Sequence, residues 1–212
     1  MIRNVIFDLD GTLANSEELI INSFQHIYRT FKGHEVSKNH IKKTFGEILE
    51  KVIRTEFDED YQVVVNAYRE FHYKHFDRYM KLYDGAKDII EELYMNNYTL
   101  GIVTSRLGNT AMKILDMYDI TQYFTSIITA DMCVNHKPHP GPLLKCLDEI
   151  GGEKSETIFI GDTVYDLECA KNAGIRSVLV SWSELDTELL TAKPDFIINQ
   201  YSDINDIISA IK

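Results

Sequence analysis

Val5-Ile6-Phe7-Asp8-Leu9-Asp10-Gly11-Thr12-Leu13 is the stretch from which the rest of the chain is read. Val5, Ile6 and Phe7, with Ile2 just before them, form a short apolar run that predicts a buried strand. The run leads straight into two carboxylates, Asp8 and Asp10, with one residue between them. Gly11 lets the backbone turn sharply, and Thr12 adds a hydroxyl. In an open α/β sheet, ligands bind in the crevice beyond the carboxyl ends of the strands. Two acids just past a strand can both face that crevice.

The next segment changes character. Ser16, followed by Glu17 and Glu18, predicts a helix N-terminus, and Ile20, Phe24, Ile27, Tyr28 and Phe31 follow at helical spacing up to Gly33. Ser37 can cap a short helix through Ile41. Gly46 separates it from another bearing Ile48, Leu49, Val52, Ile53 and Phe57. The longest helix is expected from about Asp58, with an aromatic stripe at Tyr61, Tyr68, Phe71, Phe76 and Tyr79 that reads as core. His72 and His75 share a helix face but lack a third ligand nearby, so a core or solvated role is expected. Residues 16 to 80 thus read as a helical insertion.

From Asp84-Gly85 onward, strands and helices alternate. Strands are expected at Thr99–Val103, Ser126–Thr129, Thr157–Ile160, Ser177–Val180 and Phe196–Ile198, with helices between them and a last one to Ile211. That alternation predicts an α/β fold with a parallel sheet wrapped on both faces.

The formal charge is −11, and no basic stripe offsets it, which argues against nucleic acid as a partner. Cys133, Cys146 and Cys169 show no metal-type spacing and are expected to be reduced, buried side chains. No apolar run approaches the roughly 18 residues of a membrane span. A strand begins within a few residues of Met1, leaving no room for a signal peptide, so a cytoplasmic location is expected.

Four short motifs fall at strand ends or in a following loop: Asp8-x-Asp10-Gly11-Thr12, Thr104-Ser105, Lys137-Pro138 and Gly161-Asp162-Thr163-x-x-Asp166. Each alone has a plain structural explanation. Thr104 could bond its own backbone, Lys137 could be a solvated loop cation, and Asp162 could be a helix N-cap with Asp166 in the first turn. Their occurrence together and in this order points to phosphoryl transfer. Such chemistry needs an in-line nucleophile and charge stabilisation around the equatorial oxygens. Asp8 suits the nucleophile, and Asp10 the acid that protonates the leaving oxygen and then activates water. Asp8, the Asp10 carbonyl and Asp162 suit Mg²⁺, a hard cation, with Asp166 ligating through water or orienting a ligand. Lys137 and Thr104 suit the phosphoryl oxygens, and Arg106 is close enough to meet a substrate anion.

Taken together, these motifs resemble the haloacid dehalogenase superfamily, in its phosphatase branch with a helical cap after the first motif. The resemblance implies a Rossmann-like core at residues 1–14 and 82–212 and an all-helical cap at 15–81. It implies Asp8, Asp10, Thr104 and Lys137 as catalytic residues and Asp8, Asp10, Asp162 and Asp166 as the Mg²⁺ site. Gly11, Thr12, Ser105 and Arg106 beside them are expected to bind substrate, as are Lys43 and Gly46, which lie where related caps place a substrate loop. The dehalogenases proper lack an acid at the position of Asp10, so its presence favours phosphate over halide chemistry. Val178 to Trp182, followed by Lys193-Pro194-Asp195-Phe196, resembles phosphoglycolate phosphatases and a related bacterial pyrophosphatase. The implied partner is a small phosphorylated metabolite, with neither membrane nor nucleic acid, and the chain a monomer or homodimer. A phosphomutase remains open, although the cap does not resemble the β-phosphoglucomutase loop. So does a phospho-accepting signalling domain, whose acceptor would lie mid-chain, and a catalytically idle binding protein, which has no need of all four motifs.

Overall fold

A computed structural model describes residues 1–183 and 192–211; residues 184–191 and Lys212 of the expected core lie outside that range. The chain divides into two compact units, Met1–Ala14 with Leu82–Lys212, and Asn15–Lys81.

The first unit opens with β1 (Asn4–Phe7), every residue of which is buried. The short strands β2 (Ala14–Asn15) and β3 (Lys81–Leu82), which the sequence pattern does not signal, mark the two points where the chain leaves and re-enters it. Between them lie α1 (Glu17–Ile27), α2 (Lys38–Lys42), α3 (Leu49–Glu56) and α4 (Tyr61–Tyr79). The first unit then continues through α5 (Ala86–Met95), β4 (Thr99–Val103), α6 (Gly108–Met117), β5 (Ser126–Ile128) and α7 (Gly141–Glu149). It ends with β6 (Thr157–Gly161), α8 (Val164–Ala173), β7 (Arg176–Val180), β8 (Phe196–Ile198) and α9 (Asp203–Ala210).

Six strands form one sheet in the order β5-β4-β1-β6-β7-β8, and every pairing is parallel. β1 is central: Phe7 is in register with Ile102 on one side and Ile160 on the other. The chain builds outward from β4 to β5 on one flank and from β6 to β8 on the other. β1 therefore lies at a topological switch point, where crevices open at the strand ends. Ile6, Val103, Phe159 and Leu143 pack in one core cluster, as expected for strands covered on both faces.

The second unit is a helical bundle with its own core. Phe24 of α1 meets Tyr68 of α4 edge to face, with ring centroids 5.0 Å apart. Tyr28 donates to Glu56 Oε2 at 2.9 Å. Several helix ends differ from expectation. Ser16 occupies the N-cap position of α1, but its side chain makes no capping bond. After α1 the chain widens into a π-helical turn, Tyr28–Lys32, before Gly33 ends it at φ 74°. α4 is capped by Asp60, which accepts from the Gln62 and Val63 amides, so it starts later than the sequence suggests. Of the aromatic stripe, Tyr68 and Phe76 are buried, while Tyr61, Phe71 and Tyr79 are half-buried. His72 is buried and sits 3.2 Å from Ser23 Oγ, a core position. All three cysteines are free, with Cys146 and Cys169 buried and Cys133 half-buried. Among the described residues, no helix is long and apolar enough to cross a membrane.

Candidate active site

The carboxyl ends of β1, β4 and β6 bring together most of the residues singled out by sequence. Asp8 follows β1 and is fixed by its own amide, which donates to the Ile160 carbonyl at 2.8 Å. Thr104 follows β4, its amide bonded to Ile128 O. Asp162 and Asp166 follow β6. Lys137 reaches in from the loop before α7.

Lys137 is the hub. Its Nζ donates to Asp8 Oδ1 and to Asp166 Oδ1, each at 2.6 Å, and to Val103 O at 3.3 Å. It is a buried cation, not the solvated loop residue that its position before a proline could have suggested. Burial works against its charge, but Asp166 and Asp8 outweigh that penalty and hold the amine protonated above its usual range. Asp8 responds differently. Its burial outweighs the pull of Lys137, and Asp166 repels it, so its carboxyl is pushed up to about 7. The difference follows from the charge count: one lysine gains from two acids, whereas Asp8 must share that lysine.

Asp166 is fully engaged. One oxygen takes Lys137, and Oδ2 accepts from the Thr163 amide at 3.0 Å and hydroxyl at 2.6 Å. Thr163, not Asp162, is the N-cap of α8, in a reciprocal capping box with Asp166. That frees Asp162 from capping. Its Oδ1 is buried and has no hydrogen-bond partner. Burial first, then the charges of Asp8 and Asp166, raise its carboxyl well above the ordinary range. Oxygens of Asp8, Asp162 and Asp166 lie within 4.8 Å of one another. Three acids served by one buried lysine, with one acid oxygen left without a donor, make a donor set that fits a hard divalent cation.

Asp10 adds its charge to those that raise Asp8 and Asp162, but its own carboxylate is held by a different cation. Arg106 grips it with both arms of its guanidinium, Nε to Oδ2 at 2.7 Å and Nη2 to Oδ1 at 2.5 Å. The Arg106 amide also donates to Thr104 Oγ1 at 3.1 Å, so Thr104 does bond its local backbone while its own proton remains available to donate. Ser105 is half-buried beside them. Gly11 turns at φ 82°. Thr12 is fully buried and offers no surface to a ligand; its Oγ1 has no hydrogen-bond partner. Lys43, which is exposed, and Gly46, at φ 82°, belong to the second unit.

Sequence reasoning missed the support beneath the first motif. Trp182 Nε1 donates to the Gly11 carbonyl at 3.1 Å, and Tyr201 Oη to the Thr12 carbonyl at 2.5 Å. The two rings pack edge to face with centroids 4.9 Å apart. The only available signal was a lone tryptophan just past a strand end.

Comparison with known proteins agrees with this geometry. The family model of haloacid dehalogenase-like hydrolases matches residues 5–180. The pyrophosphatase PpaX of Bacillus mycoides is 32% identical over 211 residues, covering 99% of this chain and 98% of that protein. PpaX of Halalkalibacterium halodurans is 32% identical over 208 residues, with 98% and 97% covered. A crystal structure from Lactobacillus plantarum, provisionally named a phosphoglycolate phosphatase, superposes with a TM-score of 0.86 at 27% identity, covering 98% of this chain and all of that one. The match spans the central strand, the acidic cluster and the buried lysine alike, and the chain belongs to the haloacid dehalogenase-like hydrolases.

Proposed function

We propose that this chain is a Mg²⁺-dependent phosphatase of a small phosphorylated metabolite, working through an aspartyl phosphate. The observation that carries the reading is Asp8, buried at a strand end, 2.6 Å from the Lys137 ammonium and two residues before a second acid. Asp8 attacks phosphorus as the bond to the leaving oxygen breaks, and Asp10 delivers a proton to that oxygen. Asp10 then takes a proton from water as the water attacks the acyl phosphate, which releases phosphate and restores Asp8. Lys137 offsets charge on Asp8 and the phosphoryl group, and the Thr104 hydroxyl donates to a phosphoryl oxygen. Asp8, Asp162 and the Asp10 carbonyl would hold the cation, with Asp166 orienting the set through Lys137 and Thr163. When bound, Mg²⁺ offsets the negative charge of acids and substrate and polarises the phosphoryl oxygens.

The first unit is assigned the catalytic core and the second the substrate-selecting cap, with Lys43 and Gly46 as candidate selecting residues on the family resemblance. A monomer or homodimer in the cytoplasm completes the reading. Two substrates stand ahead of others. Pyrophosphate is favoured by the PpaX relatives, which align over nearly the whole chain. Phosphoglycolate is favoured by the Lactobacillus plantarum structure, provisionally named a phosphoglycolate phosphatase, while the Val178 to Trp182 segment resembles both groups.

Phosphate release with Mg²⁺ from phosphoglycolate, pyrophosphate and a panel of sugar phosphates tests the reading, with Asp8→Asn as control. Turnover that survives in Asp8→Asn overturns it. A long-lived phosphoprotein without turnover would favour a signalling role instead, and a requirement for a sugar bisphosphate would favour a mutase.

A further inference from the structure

The geometry points to Arg106 as a latch that holds Asp10 until the second anionic group of a substrate draws the guanidinium away. The inference rests on the phosphatase reading and adds to it the class of substrate and the residue that reads it.

Both oxygens of Asp10 accept from Arg106, in the bidentate fork that arginine makes with carboxylates and phosphates alike. A general acid needs one of those oxygens to meet the leaving group. Each oxygen keeps a second lone pair, but the fork fixes the carboxylate's orientation, so turning an oxygen toward the leaving group opens the grip.

The backbone of Arg106 does not move easily. Its amide is bonded to Thr104 Oγ1, and its carbonyl accepts from the Ala130 amide at 2.9 Å. Only the side chain is placed to switch. Its burial makes a bare opening costly, because the side chain is only 8% exposed and Asp10 24%. Another anion in the same place removes that cost.

The position of such an anion follows from the chemistry. Asp10 acts on the leaving oxygen, so a cation in contact with Asp10 is within side-chain reach of groups one or two bonds beyond that oxygen. In phosphoglycolate that group is a carboxylate, and in pyrophosphate it is the second phosphate. Each presents two coplanar or near-coplanar oxygens to a guanidinium fork. A monoester with a neutral leaving group offers nothing to exchange for Asp10, so it leaves the latch closed.

The test compares phosphoglycolate, pyrophosphate and 2-hydroxyethyl phosphate, whose hydroxyl replaces the carboxylate, in wild type, Arg106→Gln and Arg106→Lys. Wild type should favour each doubly anionic substrate over 2-hydroxyethyl phosphate by about tenfold or more in kcat/KM. In Arg106→Gln the preference should collapse toward parity from both sides. KM for the doubly anionic substrates rises, and kcat for 2-hydroxyethyl phosphate also rises because Asp10 is released. Arg106→Lys should recover part of the KM effect through its charge but, lacking the fork, should keep the raised kcat on the neutral ester. A preference for phosphoglycolate alone identifies a carboxylate reader, and one for pyrophosphate alone a phosphate reader. The inference is overturned if wild type shows no preference. It is equally overturned if Arg106→Gln or Arg106→Lys lowers all three substrates in proportion. Turnover of 4-nitrophenyl phosphate in wild type and Asp8→Asn separates the two levels. If it survives in Asp8→Asn, the phosphatase reading fails; if it is lost there while the preference is absent, only the latch fails.

Discussion

Gly11 is pressed against Asp162: a methyl group placed on its α-carbon would lie 2.0 Å from Asp162 Oδ2. The turn after the first motif and the acid after β6 are thus fitted to each other, although 151 positions separate them. Gly11 also holds φ 82°, a region that side-chain-bearing residues adopt at a cost.

Gly11→Ala should therefore fail in two ways, through backbone strain and through displacement of Asp162. Stability should fall by about 1–3 kcal/mol, and a shift of an acid by an ångström should cost about a hundredfold in kcat. Gly33→Ala is the control, since Gly33 has φ 74° but nothing within 4 Å of the added carbon. It should show the strain in a urea melt and leave Mg²⁺-dependent turnover near wild type. Equal activity in the two variants would mean that the Gly11–Asp162 fit does not matter for catalysis.

Lys137→Met should be among the most destabilising single changes in the first unit. It leaves Asp8 and Asp166 buried without their cation, and breaking such a pair costs about 3–5 kcal/mol. With the lysine gone, Asp8, already pushed up to about 7 beside it, would hold its proton to still higher pH in the folded state. A raised carboxylate pKa penalises the fold above that pKa and not below the ordinary carboxylate range. The deficit, read from urea unfolding in chelator, should be largest at pH 8 and shrink toward pH 5. A deficit independent of pH would point to lost packing alone.

How much of this was legible beforehand depends on the distance over which each feature acts. β1, β4 and β6 could be read because strands covered on both faces are short, unbroken apolar runs. The acids and Thr104 sit immediately after those runs, and their placement follows from the strands. Lys137 is marked by its place before Pro138, but its burial between Asp8 and Asp166 is a tertiary fact. The Arg106–Asp10 grip spans 96 positions, and the Trp182 bond to Gly11 spans 171. No local pattern reports either, since arginines and tryptophans near strand ends are common. The N-cap of α8 was also hidden, because Asp162 and Thr163 are both good capping residues and only the direction of their side chains separates them.

Thr163→Ala tests that assignment. The hydroxyl accepts from the Asp166 amide and donates to Asp166 Oδ2. Losing an N-cap of this kind costs about 1 kcal/mol. The second consequence is functional: Asp166 loses a donor and should hold Lys137 less firmly, raising KM for Mg²⁺. Thr163→Ser keeps the hydroxyl and should restore both. A variant that loses stability without changing the Mg²⁺ dependence would confine Thr163 to capping α8.

Asp162→Asn should separate the needs of the fold from those of the cation. In metal-free protein, Asp162 is a buried acid whose Oδ1 has no donor and whose carboxyl is raised well above the ordinary range by burial and by Asp8 and Asp166. In the unfolded chain it would lose its proton near the ordinary carboxylate value of about 3.9. Above that pH the unfolded state binds fewer protons than the folded one, so this group makes stability fall as pH rises. Asparagine has no such charge to bury. In chelator at pH 8, Asp162→Asn should be more stable than wild type by about 1–3 kcal/mol, and the advantage should fade toward pH 4. Saturating Mg²⁺ should close or reverse that gap. Wild type should gain about 2.7 kcal/mol at a cation concentration a hundred times its Kd, while the variant gains little. Thermal melts at two pH values, with chelator and with Mg²⁺, give all four numbers. Parallel pH slopes and an equal Mg²⁺ gain in both proteins would remove Asp162 from the cation site, and would leave its bare oxygen as a plain cost to the fold.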